Sequence, residues 1–158
     1  MIPMNHVGIL ALLCLLLPPV IAGCAKSGEK GPGDPIVCRI DAPDRIRTGT
    51  AATITLKVLN TTDSTMEIGL SGRPADYITL EDDRGRVVWQ SHAGDAILEI
   101  LEMRLLAGGE EWNFTAPWQG RDAGGRPFLP GRYILRAGVR VDGPENLEAD
   151  AKPLTILP

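Results

Sequence analysis

The chain has 158 residues, a formal net charge of −4, 18 glycines and 13 prolines. That length suits one domain with a tail, and the mild acidity, with arginines spread among acids, lacks the clustered basic footprint that nucleic acid requires. So much glycine and proline suits short strands joined by turns.

Val7 to Leu17 is an apolar run without a charge, ended by Pro18-Pro19. It is too short to span a bilayer comfortably and has the length of a signal-peptide hydrophobic region. Ile21-Ala22-Gly23-Cys24 follows and is similar to a bacterial lipobox. Small residues let an extended backbone enter the signal peptidase, and the Cys24 thiol would take a diacylglyceryl group. Cleavage would free the Cys24 amine for a further acyl chain, and two or more chains make anchoring stable. Met1 to His6 has no Lys or Arg, unlike the usual positive flank, so an uncleaved membrane segment with an incidental cysteine is the competing reading. Residues 1–23 are expected to be a lipoprotein signal peptide and 24–35 the lipidated cysteine with a flexible tether. The tether, rich in Gly, Pro and charge, spans on the order of 18 Å. Residues 36–158 are then a folded domain outside the cytoplasm, held to a membrane of the bacterial cell envelope through Cys24.

Within that domain, Ile36 to Ile40 is a candidate first strand. Ile54, Leu56 and Val58 alternate with Thr53, Thr55 and Lys57, as in a half-buried strand. Asn60 to Ser64 reads as a turn, and Met66, Ile68 and Leu70 alternate again. Ala75 to Gln90 reads as a β-hairpin, with Tyr77–Leu80 and Val87–Trp89 as its arms and Glu81–Gly85 as its polar turn. Asp95 to Leu106 has apolar residues that suit either a short amphipathic helix or an irregular connection leading into a strand; a short helical turn or loop is expected there. Glu111 to Ala116 is a strand, Trp118 to Pro130 a Gly- and Pro-rich loop, and Tyr133 to Val141 a strand alternating with Arg132, Arg136 and Arg140. Leu147 to Leu157 supplies the last strand. Seven to nine short strands without a βαβ unit predict an all-β, Ig-like antiparallel sandwich, with a closed barrel as the structural alternative.

Catalytic and metal chemistry find little support. A zinc site needs three or four His, Cys or carboxylate ligands, and beyond the signal peptide the chain holds one histidine, His92. No metal and no cofactor is therefore expected. Ser91, His92 and Asp95 are sequence neighbours that rarely adopt triad geometry, and no Gly-x-Ser-x-Gly elbow occurs. Glu81-Asp82-Asp83 lacks the spacing of an EF-hand and reads as a turn. Cys38 reads as a small buried hydrophobe; exposed, it would pair two molecules. Trp89 and Trp112 are expected in the core.

Several segments in order resemble the BsuPI domain family, named for an intracellular proteinase inhibitor. They are Leu56-Lys57-Val58-Leu59-Asn60-Thr61-Thr62; Ile68-Gly69-Leu70-Ser71-Gly72-Arg73 leading to Asp76-Tyr77; and Leu80 to Trp89. Leu106-Ala107-Gly108-Gly109-Glu110 is similar to the family's Leu-x-Pro-Gly-Glu turn, with Gly108 where proline is usual. Trp118 and Pro130-Gly131-Arg132-Tyr133 complete the set, which covers roughly Ala51 to Leu157. The resemblance implies an Ig-like sandwich and inhibition of serine proteases, without assigning contact residues.

The expected function is that of a non-enzymatic binding domain. Its partner would be a serine protease or another envelope protein, and the alternative is a structural or accessory envelope lipoprotein with no protease target. Loops on a rigid sandwich usually carry binding. Trp118, Arg121 and Arg126 on one loop are the candidate contact residues, and Ser91 to Leu101 is a second candidate surface. Gly124-Gly125 is expected to make the first loop floppy.

Overall fold

The computed structural model describes residues 33–158. Ile21, Ala22, Gly23 and Cys24, with the signal peptide and most of the tether, lie outside the described residues. Eleven strands follow in order: β1 (Ile36–Asp41), β2 (Arg45–Arg47), β3 (Ala52–Asn60), β4 (Met66–Arg73), β5 (Asp76–Glu81), β6 (Val87–Gln90), β7 (Leu98–Leu106), β8 (Glu111–Trp118), β9 (Gly131–Val139), β10 (Leu147–Glu148) and β11 (Lys152–Leu157). One sheet has the order β1-β3-β8. The other runs β2-β11-β9-β5-β6, with β10 also on β9, and β4 pairs with β7. Every pairing is antiparallel except the short parallel match of β2 with β11.

The period-2 pattern of the sequence becomes the two faces of these sheets. Ile54, Leu56 and Val58 of β3 are buried, while Thr53, Thr55 and Lys57 between them are not. On the outer face Lys57 reaches Asp41 of β1 at 3.1 Å and Glu111 of β8 at 4.0 Å. From the opposite sheet Ile78 and Leu80 of β5, Leu135 and Val139 of β9, and Leu154 and Ile156 of β11 point inward. All join one core cluster with β3, Cys38 and Trp112. Each such side chain is worth roughly 1.5–3 kcal/mol when fully withdrawn from water. The result is the Ig-like sandwich that the strand pattern predicts, and the Ala75–Gln90 hairpin is present as β5 and β6. Trp89 is half-buried, at the margin of the core.

One segment differs from expectation. Asp95 to Leu106 is no helical turn: Leu98 to Leu106 is a nine-residue strand. Its apolar residues at 97, 98, 100, 101, 103, 105 and 106 satisfy helical and extended periods equally, so local pattern could not choose. Pairing chooses. Met66 opposes Leu106, Ile68 opposes Arg104 and Leu70 opposes Glu102, so β7 satisfies the edge of β4 that a helix would leave unbonded.

The β4–β7 pair continues the β3–β8 pair past a corner. β3 runs into β4 through residues 60–66, and β7 into β8 through 106–111. Asn60 sits at this corner and is completely buried. Its Nδ2 donates to Ser64 O at 2.8 Å, Leu106 O at 3.0 Å and Ala107 O at 3.1 Å. Its Oδ1 accepts from Thr62 N at 3.0 Å and from the Thr62 hydroxyl at 2.8 Å. Its backbone closes the corner too, with Asn60 N–H on Glu110 O and Gly109 N–H on Asn60 O. A Cβ at Gly108 would lie 2.5 Å from the Asp63 carbonyl carbon. That explains why the proline expected from the family pattern is a glycine here.

Candidate protein-contact surface

Two five-residue turns share one pattern, Asp-x-x-Gly-Arg. They are Asp82 to Arg86, joining β5 to β6, and Asp122 to Arg126, in the loop between β8 and β9. Their hydrogen bonds match position by position. The Asp N–H donates to the Arg carbonyl, and the Gly N–H donates to the Asp carbonyl. Asp82 Oδ1 accepts from Arg84 N and Arg86 N, each at 3.0 Å. Asp122 Oδ1 accepts from Gly124 N at 2.9 Å and Arg126 N at 3.0 Å. The second oxygen takes the arginine: Arg86 Nε to Asp82 Oδ2 at 2.8 Å, and Arg126 Nε to Asp122 Oδ2 at 3.1 Å. An aspartate at a turn's first position commonly accepts such backbone bonds; here its arginine locks the far side. The charge-assisted bonds hold both carboxyls below the usual carboxylate range. For Asp82 the Arg86 side chain is the main cause, and for Asp122 the Arg126 backbone N–H is.

The second turn closes the loop that the sequence reading singles out. Arg121 Nη1 donates to Gly125 O at 2.9 Å, and Arg121 bridges Pro127. So Arg121 and Arg126 lie together at one loop tip, and the Gly124-Gly125 pair is bound into a hydrogen-bonded turn rather than left floppy. Arg126 keeps 83% of its side-chain exposure despite its partner. Gly120, at the base of the loop, has a φ of +67°, and a Cβ there would lie 2.4 Å from Thr50 O.

Trp118 does not join these arginines at the surface. It is 1% exposed, with its ring centroid 5.5 Å from Phe128 and 6.4 Å from Trp89. Phe128 in turn meets Tyr133 at 5.8 Å. The indole ends β8, where the alternating pattern turns it inward. Its expected role as a contact residue is corrected to that of a core anchor. Trp118 and Phe128 thus fasten both ends of the loop to the core, and the Thr48 hydroxyl donates to Phe128 O.

Between this loop and the edge of β6, the last strand of its sheet among the described residues, lies a cleft of about 540 Å³. Val87, Val88 and Trp89 line one wall; Pro117, Arg121 and Asp122 line the other. The sequence reading missed it, because its two walls are brought together only by the sandwich. The repeated Asp-x-x-Gly-Arg spacing was the available signal.

The second candidate surface is shorter than expected. Ser91 still belongs to the sheet, its N–H on Ile78 O and its Oγ accepting Ile78 N–H at 3.1 Å. His92 Nε2 lies 2.9 Å from Asp76 Oδ2, and Nδ1 lies 3.4 Å from Asp95 Oδ2. Both ring nitrogens therefore face carboxylates and not the Ser91 hydroxyl. From Leu98 onward the supposed loop is β7. Among the described residues no group of three or more His, Cys, Asp or Glu is placed to hold a metal ion.

A family model described as BsuPI, intracellular proteinase inhibitor, matches residues 42–143. No curated protein matches the chain in a sequence search. Among solved structures, a CARDB domain from Pyrococcus furiosus is 16% identical with a TM-score of 0.43, over 77% of this chain and 87% of that one. The alkylpurine DNA glycosylase AlkC of Pseudomonas fluorescens is 16% identical with a TM-score of 0.44, over 78% of this chain and 31% of that one. PorU of Porphyromonas gingivalis is 18% identical with a TM-score of 0.44, over 78% of this chain and 9% of that one.

Proposed function

The chain belongs to the BsuPI family, described as intracellular proteinase inhibitors, and on that premise we propose that it is a lipid-anchored, non-enzymatic inhibitor or regulator of a protease in the cell envelope. The loop between Trp118 and Pro130 is its contact segment. The observation that carries this reading is the loop's construction: both ends are fastened in the core and the tip is tied by the Asp122 turn. A segment offered to a protease cleft binds tightly when little freedom is lost on binding. Arg121 and Arg126 put two guanidinium groups at that tip, suited to a protease whose subsites carry carboxylates. Anchoring rests on the Ile21-Ala22-Gly23-Cys24 pattern after its apolar run and would confine the domain to proteases near the membrane.

The test is titration of the full chain, in mild detergent, against a panel of serine proteases that includes extracytoplasmic ones. The expected result is stoichiometric loss of protease activity while the inhibitor stays uncut. The double variant Arg121→Ala/Arg126→Ala should weaken inhibition at least tenfold. Inhibition untouched by that variant moves the contact off this loop, and no inhibition of any protease removes the inhibitory reading for this chain. Anchoring is checked separately: Cys24→Ala should accumulate unprocessed, without lipid label.

A further inference from the structure

We infer that β7 is a homodimerisation edge, on which a second copy of this chain adds antiparallel so that Met103 faces Met103 across the two-fold axis. Three observations converge on this strand. First, β7 pairs with β4 on one side only, and no backbone hydrogen bond to another described strand occupies its outer edge. Natural edges of this length are normally blunted with charged side chains, lysine above all, with proline or with a bulge, because a row of unpaired N–H and C=O groups templates a further strand. Residues 98–106 contain neither lysine nor proline, and the one irregularity lies beyond Ser71 at the far end of the pair.

Second, one face of the strand carries three successive exposed apolar side chains. Leu101, Met103 and Leu105 are 56%, 53% and 65% exposed. Their neighbours on β4 are Ser71, Gly69 and Glu67, which offer no large apolar cover. Glu99 precedes Leu101 on that face, and the exposed Leu98 and Ile100 lie on the opposite one. Single exposed apolar residues are ordinary; a contiguous set on a free edge marks an interface.

Third, the charges choose the occupant and the register. In a two-fold antiparallel pair, opposed residue numbers add to an even constant, so that side chains keep their face. With Met103 on the axis, Leu101 opposes Leu105 of the second copy and Glu102 opposes Arg104, and symmetry makes each pair twice. Centring on Glu102 sets that carboxylate against itself, and centring on Arg104 sets guanidinium against guanidinium. Centring on Leu101 leaves Glu102 against Ile100 and Arg104 against Leu98. Opposite charges across strands stabilise and like charges destabilise, so the Met103-centred register is the favoured one. Within one copy Glu102 already pairs with Arg73, and Arg104 stacks 4.7 Å over the Trp112 ring. A carboxylate accepts several hydrogen bonds, and stacking on its face leaves the guanidinium N–H groups open, so both can add the intermolecular pair. The β7 strand is remote in sequence from the Asp122 loop, and this inference does not depend on the inhibitor reading.

The experiment is light scattering on the full chain in mild detergent, corrected for bound detergent, over a concentration series. Wild type is expected to be dimeric. Glu102→Arg and Arg104→Glu, each opposing like charges twice, should raise the dissociation constant at least tenfold. Mixing the two single variants should restore dimers as heterodimers: positions 102 and 104 are both basic in the first variant and both acidic in the second, so every opposed pair is of unlike sign. The double-swapped chain should dimerise with itself. Near-ultraviolet circular dichroism of the tryptophans reports whether the single variants keep the fold, and the double swap supplies the test if one of them does not. A monomeric wild type, dimers indifferent to both single changes, or single variants that fold yet fail to associate on mixing would each overturn the proposal.

Discussion

Asn60 shows how one residue sets a corner. Its side-chain amide serves three carbonyl oxygens and two donors while completely buried. Asn60→Ala would strand several of those groups away from water, at about 1–3 kcal/mol for each one left unsatisfied. A loss of roughly 3 kcal/mol in denaturant-induced unfolding is expected, a large share of the 5–15 kcal/mol typical of a domain. Asn60→Asp keeps the shape but turns an acceptor toward the carbonyls of Ser64, Leu106 and Ala107, so at neutral pH it should cost at least as much. Gly120→Ala should also destabilise strongly, since it combines a left-handed φ with a backbone oxygen 2.4 Å from the new Cβ. The two turn aspartates make a pH prediction. Their folded pKa values lie below the ordinary carboxylate value, so the stability they add is present above the unfolded pKa, near 3.9. It is lost as pH falls through the folded values. Amide resonances of Arg86 and Arg126 should therefore stay constant from neutral pH to about pH 5 and move together in stronger acid. Movement of either already near neutrality would break the assignment.

At the scale of elements, the decisive feature is the continuous ribbon in which β3 and β8 pass through the Asn60 corner into β4 and β7. One face of its outer half is core, through Ile68, Leu70 and Leu106, and the other carries Leu101, Met103 and Leu105 toward solvent. For the isolated monomer, Met103→Thr should therefore change stability by no more than about 0.5 kcal/mol, as for ordinary surface sites. Leu70→Ala, on the buried face of the same ribbon, should cost about 2–5 kcal/mol. Thermal unfolding of the two variants under dilute conditions distinguishes the faces. Equal losses would mean that β7 is packed on both sides. The Asp-x-x-Gly-Arg turns act at this scale as well. They hold an arginine at the same position of two turns, and the second turn lines the cleft through Asp122, Ala123 and Gly125.

For the whole molecule, the strands from Ile36 to Leu157 share one core. The sequence-terminal strands β1 and β11 contribute to it although they lie beyond residues 42–143 of the family match. Ile36 and Cys38 at one end and Leu154 and Ile156 at the other are all buried. Truncation to residues 42–143 should thus abolish cooperative unfolding, whereas loss of residues before Gly33 should not. Circular dichroism melts of both fragments check this, and a cooperative melt of the shorter one would show that the terminal strands are dispensable.

How much of this was legible beforehand depends on how local the physics is. Period-2 alternation in β3, β5 and β9 reports directly which side chains meet a core, and turn residues report where the chain reverses. The sandwich class, the Ala75–Gln90 hairpin and the family could accordingly be read from the chain alone. Residues 97–106 were ambiguous because their apolar spacing fits a helix and a strand alike, and only the edge of β4 decides between them. Trp118 borders a Gly-rich loop in sequence, yet the inward phase of β8 buries it between Trp89 and Phe128. The arginines at 121 and 126 were identifiable as loop residues, but their fixing by one aspartate depends on hydrogen bonds that composition does not report. Alternating faces and turns were set by local pattern, since both follow from a few neighbouring residues. Packing settled which edges remain open, which loop is tied down and which tryptophan is hidden, because each of these depends on groups far apart along the chain.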